Sequence, residues 1–129
     1  MGIRCGVDMV ETARVRAAVE RLGSRFLDKV YTKGEQADCL NRGERTMSSL
    51  AARFAAKEAV SKALGTGIGA GAAFVEIEIV QEPGGAPSIV LHGAARSTFE
   101  GLGGEELAVS LSHERAYAIA QVVMTTRAG

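Results

Sequence analysis

With 129 residues, 47% of them hydrophobic, the chain has the length of one domain and enough apolar side chain to pack a core. Its 15 basic and 15 acidic residues cancel, and with 5% aromatic residues and no tryptophan it has neither the field nor the stacking surface of a nucleic-acid binder. No apolar run approaches bilayer length, no apolar leader opens the chain, and Cys5 and Cys39 lack metal or redox spacing, so the expectation is a single cytoplasmic domain over residues 1–129 that engages neither membrane nor nucleic acid.

Ile3, Cys5, Val7 and Met9 alternate with Arg4, Gly6, Asp8 and Val10, which predicts a strand with Asp8 on the face opposite the main apolar set. Asp8 falls near the strand end, either as a working carboxylate or as an Asp satisfied by local backbone. Thr12 is placed to cap a helix running to Leu22, with Val15, Val19, Leu22 and then Phe26 as its apolar stripe. Beside that stripe Arg14, Arg21 and Arg25 recur at i, i+7 and i+11, and Glu20 is the only acid between Thr12 and Arg25. Such a stripe is either a solvated face or a docking surface for an anionic partner, because guanidinium groups pair bidentately with carboxylates and phosphates. Thr32-Lys-Gly-Glu35 fits a capping box that opens a short helix to about Leu40, and Asn41 to Glu44 reads as a connecting loop.

A long helix is predicted from Thr46 to a stop at Gly65, since the residues between are mostly strong helix formers. At about 100° per residue, Met47, Leu50, Ala51 and Phe54 share a stripe with Glu58 in its middle and Lys62 on its edge. A carboxylate on an apolar face is costly unless something pairs with it, and a metal ion or Lys62 would serve. The plainer alternative is a surface ion pair at i, i+4 worth about 0.2–0.5 kcal/mol. The following Gly65-Thr-Gly-Ile-Gly-Ala-Gly71 loop lets backbone amides approach a phosphate or nucleobase, but it follows a helix rather than opening one, so it is neither a Walker loop nor a dinucleotide fingerprint.

Val75, Ile77 and Ile79 alternate with Glu76 and Glu78 in a half-exposed strand, Pro83 to Pro87 is a turn, and Ser88 to Leu91 returns. Ala94 to Leu102 reads as a short helix. Leu107, Val109, Leu111 and His113 alternate with Ala108, Ser110 and Ser112, and a short loop joins this strand to an apolar one from Tyr117 to Met124, an antiparallel hairpin. His113, at the strand end, is either structural or able to reach a ligand; the tail from Thr125 is expected to fray. Segregated helices and antiparallel pairs imply an α+β fold, an antiparallel sheet packed against a long helix and shorter helices.

Three stretches, Gly6-Val-Asp-Met-Val-Glu-Thr-Ala-Arg14, Arg53-Phe-Ala-Ala-Lys-Glu-Ala-Val-Ser-Lys62 and Val109-Ser-Leu-Ser-His113, together resemble the holo-[acyl-carrier-protein] synthases, the small phosphopantetheinyl transferases; the Gly65-Thr-Gly-Ile-Gly69 loop also fits. The resemblance spans nearly the whole chain in the right order. It implies the 4'-phosphopantetheinyl transferase-like fold and Mg-dependent transfer of phosphopantetheine from coenzyme A to a serine of an apo acyl carrier protein. Adenosine 3',5'-bisphosphate is released, and the product serves fatty-acid and lipid biosynthesis. It also implies a homotrimer with active sites between protomers. Carried onto this chain, Asp8 and Glu58 would hold Mg2+ and Lys62 would contact the phosphates. His113 would act there too, with Arg53, Gly65, Thr66, Gly67 and Ser112 in the coenzyme A site. Arg14, Arg21 and Arg25 would receive the acidic helix of the carrier. The base that takes the serine proton is open among a metal-bound water, Glu58, and a group near His113 and Glu114.

Two other readings compete. A metal-dependent nuclease would use Asp8, Glu58 and Lys62, but its acid and lysine commonly sit on a strand, and this chain has no basic excess for a phosphate backbone. A non-catalytic oligomeric module gripping an acidic partner would explain the arginine stripe and leave Glu58 unexplained.

Overall fold

Beginning as a strand and ending as its neighbour, the chain folds as β1 (Gly2–Glu11), α1 (Thr12–Leu22), α2 (Ser24–Val30), α3 (Lys33–Cys39), α4 (Thr46–Leu64), β2 (Ile77–Gln81), β3 (Pro87–Leu91), α5 (Gly93–Gly101), β4 (Gly104–Glu114) and β5 (Tyr117–Thr126). The structure, a computed structural model, describes residues 1–127. Single 3-10 turns, Gly43–Arg45 and Phe74–Glu76, precede α4 and β2. One antiparallel sheet has the order β1-β5-β4, and β2-β3 form a separate hairpin.

Most helix and strand expectations hold. The capping box at Thr32 is formed on both sides, and Gly65 ends α4 in the left-handed conformation with φ of 82°. Thr12 does not cap α1. The capping position is Glu11, without a side-chain bond, and Thr12 is instead held through its amide by the Ala116 carbonyl at 2.8 Å. The short helix α2 was not foreseen: Gly23 turns the chain at φ of 57°, and Phe26 therefore lies on a second helix rather than on the stripe of the first. Thr125 and Thr126 do not fray. They extend β5, Thr126 opposite Gly2 and buried, Arg127 donates its amide to the Gly103 carbonyl at 3.0 Å, and residues 128–129 of the expected tail lie outside the described residues.

The long helix α4 is the centre of the core. It packs across β1 and β5 on one side and against α1, α3 and β2 on the other. Its alanines at 51, 52, 55, 56, 59 and 63 are all buried, and so are Arg53, Lys57 and Ser61. This corrects the single-stripe expectation. Met47, Phe54 and Glu58 are only half-buried, at the rim of a helix enclosed on most sides. Small side chains permit close approach, and β1 exploits this at Gly6, where a Cβ would lie 2.0 Å from the Ala59 carbonyl oxygen.

The strand β1 presents Gly6, Asp8 and Val10 inward to α4. Its apolar set points the other way, with Ile3 72%, Val7 56% and Met9 60% exposed, beside Tyr117, Ile119 and Val123 of β5. This face is apolar save for Gln121 opposite Val7 and Thr125 opposite Ile3, and an exposed apolar patch marks an interaction surface more often than a defect.

Candidate active site

The close crossing at Gly6 sets the inward-facing residue two positions later, Asp8, against the last turns of α4. There Lys62 Nζ donates to Asp8 Oδ1 at 3.1 Å and to the Val7 carbonyl at 2.9 Å. Glu58, one turn earlier on α4, lines with Asp8 a cleft of about 660 Å3 between β1, α1 and α4. Val15, Phe26 and Phe54 form its apolar floor, and Arg14 and Arg21 line it as well. Phe26 and Phe54 stack at 6.3 Å between ring centres, and Phe54 meets Phe74 at 5.2 Å.

Burial raises the Glu58 pKa, the negative charge of Asp8 raises it further, and Lys62 partly offsets both. Two carboxylates at one cleft form a donor set short of positive charge. The half-exposed Lys62–Asp8 pair supplies some of it, but such pairs are worth about 0–1 kcal/mol and yield to a stronger cation. Among the described residues no three His, Cys, Asp or Glu side chains converge, and Asp8 and Glu58 are the two carboxylates that line this cleft. That suits Mg2+, which keeps several waters and takes one or two carboxylates plus substrate phosphate.

The remaining expected site residues lie elsewhere. Arg25 is exposed on α2. Arg53 and His113 line a second cleft, of about 400 Å3, together with Arg42, Arg45 and Ser48. Arg53 is 5% exposed; its guanidinium donates to the Ile79 carbonyl at 3.0 Å and pairs with Asp38. Burial opposes ionisation of Asp38, but hydrogen bonds from Arg42 and Arg53 outweigh it and hold its carboxyl below the usual range. Ser112 is exposed and pairs in register with Ile119 on the outer face of the sheet. The amides of Thr66 and Gly67 both donate to the Ser61 carbonyl at 3.1 Å, so they close the end of α4.

Sequence reasoning missed Lys57 and Glu35, a fully buried ion pair at 2.6 Å directly beside Glu58 in the chain. Burial lowers the Lys57 pKa, and the charge and hydrogen bond of Glu35 act against that shift. No local signal singles the pair out: Lys57 lies among Ala55, Ala56 and Ala59, and Glu35 is 22 residues away in the chain. Arg45, in the second cleft, was also passed over.

In this α+β protein the long central helix and the first strand thus bring together two carboxylates and a lysine. The chain belongs to the 4'-phosphopantetheinyl transferase superfamily, whose model matches residues 4–122. It is 47% identical over 125 residues to a holo-[acyl-carrier-protein] synthase of Ruminiclostridium cellulolyticum, covering 97% of this chain and 93% of the relative. With a holo-[acyl-carrier-protein] synthase of Chloroflexus aurantiacus it shares 50% identity, covering 92% and 94%. Among solved structures, the Neisseria meningitidis holo-[acyl-carrier-protein] synthase superposes with a TM-score of 0.88 at 31% identity, covering 95% of this chain and 98% of that one. The Helicobacter pylori holo-[acyl-carrier-protein] synthase in complex with coenzyme A superposes with a TM-score of 0.83 at 36% identity, covering 94% and 99%. The expected fold class and family are thus borne out.

Proposed function

We propose that the chain is a single phosphopantetheinyl transferase domain that moves 4'-phosphopantetheine from coenzyme A to a serine of an apo acyl carrier protein, releasing adenosine 3',5'-bisphosphate. The observation that carries this reading is that Asp8 and Glu58 line one cleft and Lys62 pairs with Asp8 at 3.1 Å, all three on stretches that resemble the family's. Asp8 and Glu58 would hold Mg2+. When bound, the ion would offset the charge that develops on the departing bisphosphate. Lys62, half-exposed and held by Asp8 and the Val7 carbonyl, would turn from Asp8 to a phosphate oxygen as a point charge. The serine hydroxyl of the carrier gives its proton to a base and attacks the phosphorus that bears pantetheine, and the bond to the bridging pyrophosphate oxygen breaks as adenosine 3',5'-bisphosphate leaves. Arg14 and Arg21, lining the same cleft, and Arg25 on the next helix would dock the acidic surface of the carrier beside the reacting atoms.

Arg53 and His113 belong to the coenzyme A site in this reading, yet they line the other cleft. One coenzyme A meets both sets if the second set comes from another copy, which supports a homotrimer with active sites between protomers. The exposed apolar face of β1 and β5 gives such an assembly a surface to bury. Ser112 lies on that face, where a neighbouring copy would adjoin it. Among the described residues no helix is long and apolar enough to cross a membrane. A coenzyme A-dependent reaction on a carrier protein, with both cysteines free, fits the cytoplasm and fatty-acid biosynthesis.

The test is incubation with coenzyme A, Mg2+ and an apo carrier protein, followed by mass spectrometry of the carrier. Added phosphopantetheine on its serine is expected; an unchanged carrier mass under all three conditions refutes the reading.

A further inference from the structure

Lys57 precedes Glu58, and none of its side chain reaches solvent. Each of its three donors has an acceptor: Glu35 Oε1 at 2.6 Å, the Phe74 carbonyl at 2.9 Å and the Ile77 carbonyl at 2.5 Å. Glu35 is equally saturated. Its Oε1 accepts from the Thr32 amide and its Oε2 from the Ile79 amide, both at 2.9 Å. One buried point therefore ties α4 to the start of α3, to the turn before β2 and to β2 itself.

A buried ion pair is a poor stabiliser, since well-packed apolar residues commonly do as well or better. What it supplies is direction. The alanine surface of α4 has little relief to resist rotation about the helix axis. A group at the outer radius of a helix, about 5–6 Å from the axis, moves about 1 Å for a rotation of about 10°. Misplacement of about 1 Å can lower turnover roughly a hundredfold. Glu58 is such a group, on the residue next to the lock. The same lysine also holds Phe74, whose ring meets Phe54 on the floor of the cleft.

We infer that Lys57 and Glu35 are a positioning pair: by fixing the rotation of α4 they set the Glu58 carboxylate against Asp8, and so set the cation affinity of the site. The inference rests on the reading of Asp8 and Glu58 as the cation site.

The experiment compares wild type, Lys57→Met, Glu35→Gln, the double variant, Glu35→Asp and Glu58→Gln. Three quantities are read: the thermal midpoint without metal, Mn2+ binding to the protein alone by electron paramagnetic resonance, and kcat with KM for the carrier. Each single charge removal lowers the midpoint, because it strands the other charge. The double variant is expected to regain the midpoint yet bind Mn2+ about tenfold more weakly and turn over about a hundredfold more slowly, with KM for the carrier little changed. Recovery of Mn2+ affinity together with the midpoint overturns the inference and leaves the pair a structural one. If the double variant does not fold, Glu35→Asp decides. A folded protein with weakened Mn2+ binding supports positioning, and a folded protein with wild-type Mn2+ binding overturns it. Should Glu58→Gln bind Mn2+ as tightly as wild type, the cation-site reading itself fails and the inference falls with it.

Discussion

Gly6→Ala is the sharpest test of how the fold places the site. The added Cβ would lie 2.0 Å from the Ala59 carbonyl oxygen and 3.0 Å from the Ala63 amide nitrogen, and both neighbours are backbone of a buried helix. Ordinary contact begins at 3.4 Å, so β1 and α4 must separate locally by 3.4 − 2.0 = 1.4 Å. Overpacking of this kind costs about 1–3 kcal/mol. For a domain of this size that lowers the melting midpoint by roughly 3–15 °C. Asp8 is two residues along on the same strand face, so it retreats from Glu58 by a similar amount. Displacement on the order of 1 Å at a reacting centre lowers kcat roughly a hundredfold. Thermal unfolding by circular dichroism and formation of holo carrier by mass spectrometry give the two numbers. A variant with wild-type midpoint and kcat would refute the close-approach argument. A lowered midpoint with intact kcat would show that the Gly6 crossing does not position Asp8.

Glu58→Gln should abolish transfer and, without metal, make the protein more stable. Because the folded-state pKa of Glu58 is raised, the native state holds its proton longer than the unfolded chain, so wild-type stability falls as pH rises from about 4.5 through the folded value. The gain from Gln should therefore be full above that window and vanish at acid pH; a gain that persists at acid pH contradicts it. Asp8→Asn should match Glu58→Gln in kcat, and the double variant should fall short of the summed defects if they share one ion. EDTA should stop turnover, with recovery on Mg2+ or Mn2+; full activity in a metal-free preparation would count against the cation. Arg14→Glu with Arg21→Glu should raise KM for the carrier and flatten its salt dependence, with KM for coenzyme A unchanged. Mixed Glu58→Gln and His113→Ala protomers should recover activity that neither has alone if sites form between copies, and none if each chain works by itself.

Much of this was legible because local chemistry and fold agree. The Thr32 capping box, the Gly65 stop and the period-two strands all state their structures within a few residues. Glu58 stood out as a carboxylate among apolar helix positions and Asp8 as an acid near a strand end, and the structure sets both on one cleft with Lys62 paired to Asp8. Lys57 was not, since its partner Glu35 is 22 residues away and helical periodicity does not reveal a buried ion pair across α3 and α4. The apolar alternation of β1 was also ambiguous. Period two says that Ile3, Val7 and Met9 share a face, but not that Gly6 and Asp8 would turn to the core and leave that face exposed. Gly6 was the missed signal, since its lack of a side chain lets β1 lie against α4.

The geometry of α4 gives the physical reason for expecting more than one chain in a working site. Arg53 and Glu58 are five residues apart, which at about 100° per residue projects them about 140° apart around the axis. One side of the helix feeds the cleft of Asp8 and Arg14, and the other, through Arg53, Ala52 and Ser48, feeds the cleft of Arg45 and His113. A buried helix with side chains is about 10–12 Å across and stands between the two. The signature motif, contiguous in sequence, thus faces two ways in space. Under the proposed trimer its halves act on different coenzyme A molecules, and the apolar sheet face that a lone chain leaves exposed is the surface by which copies complete each other's sites.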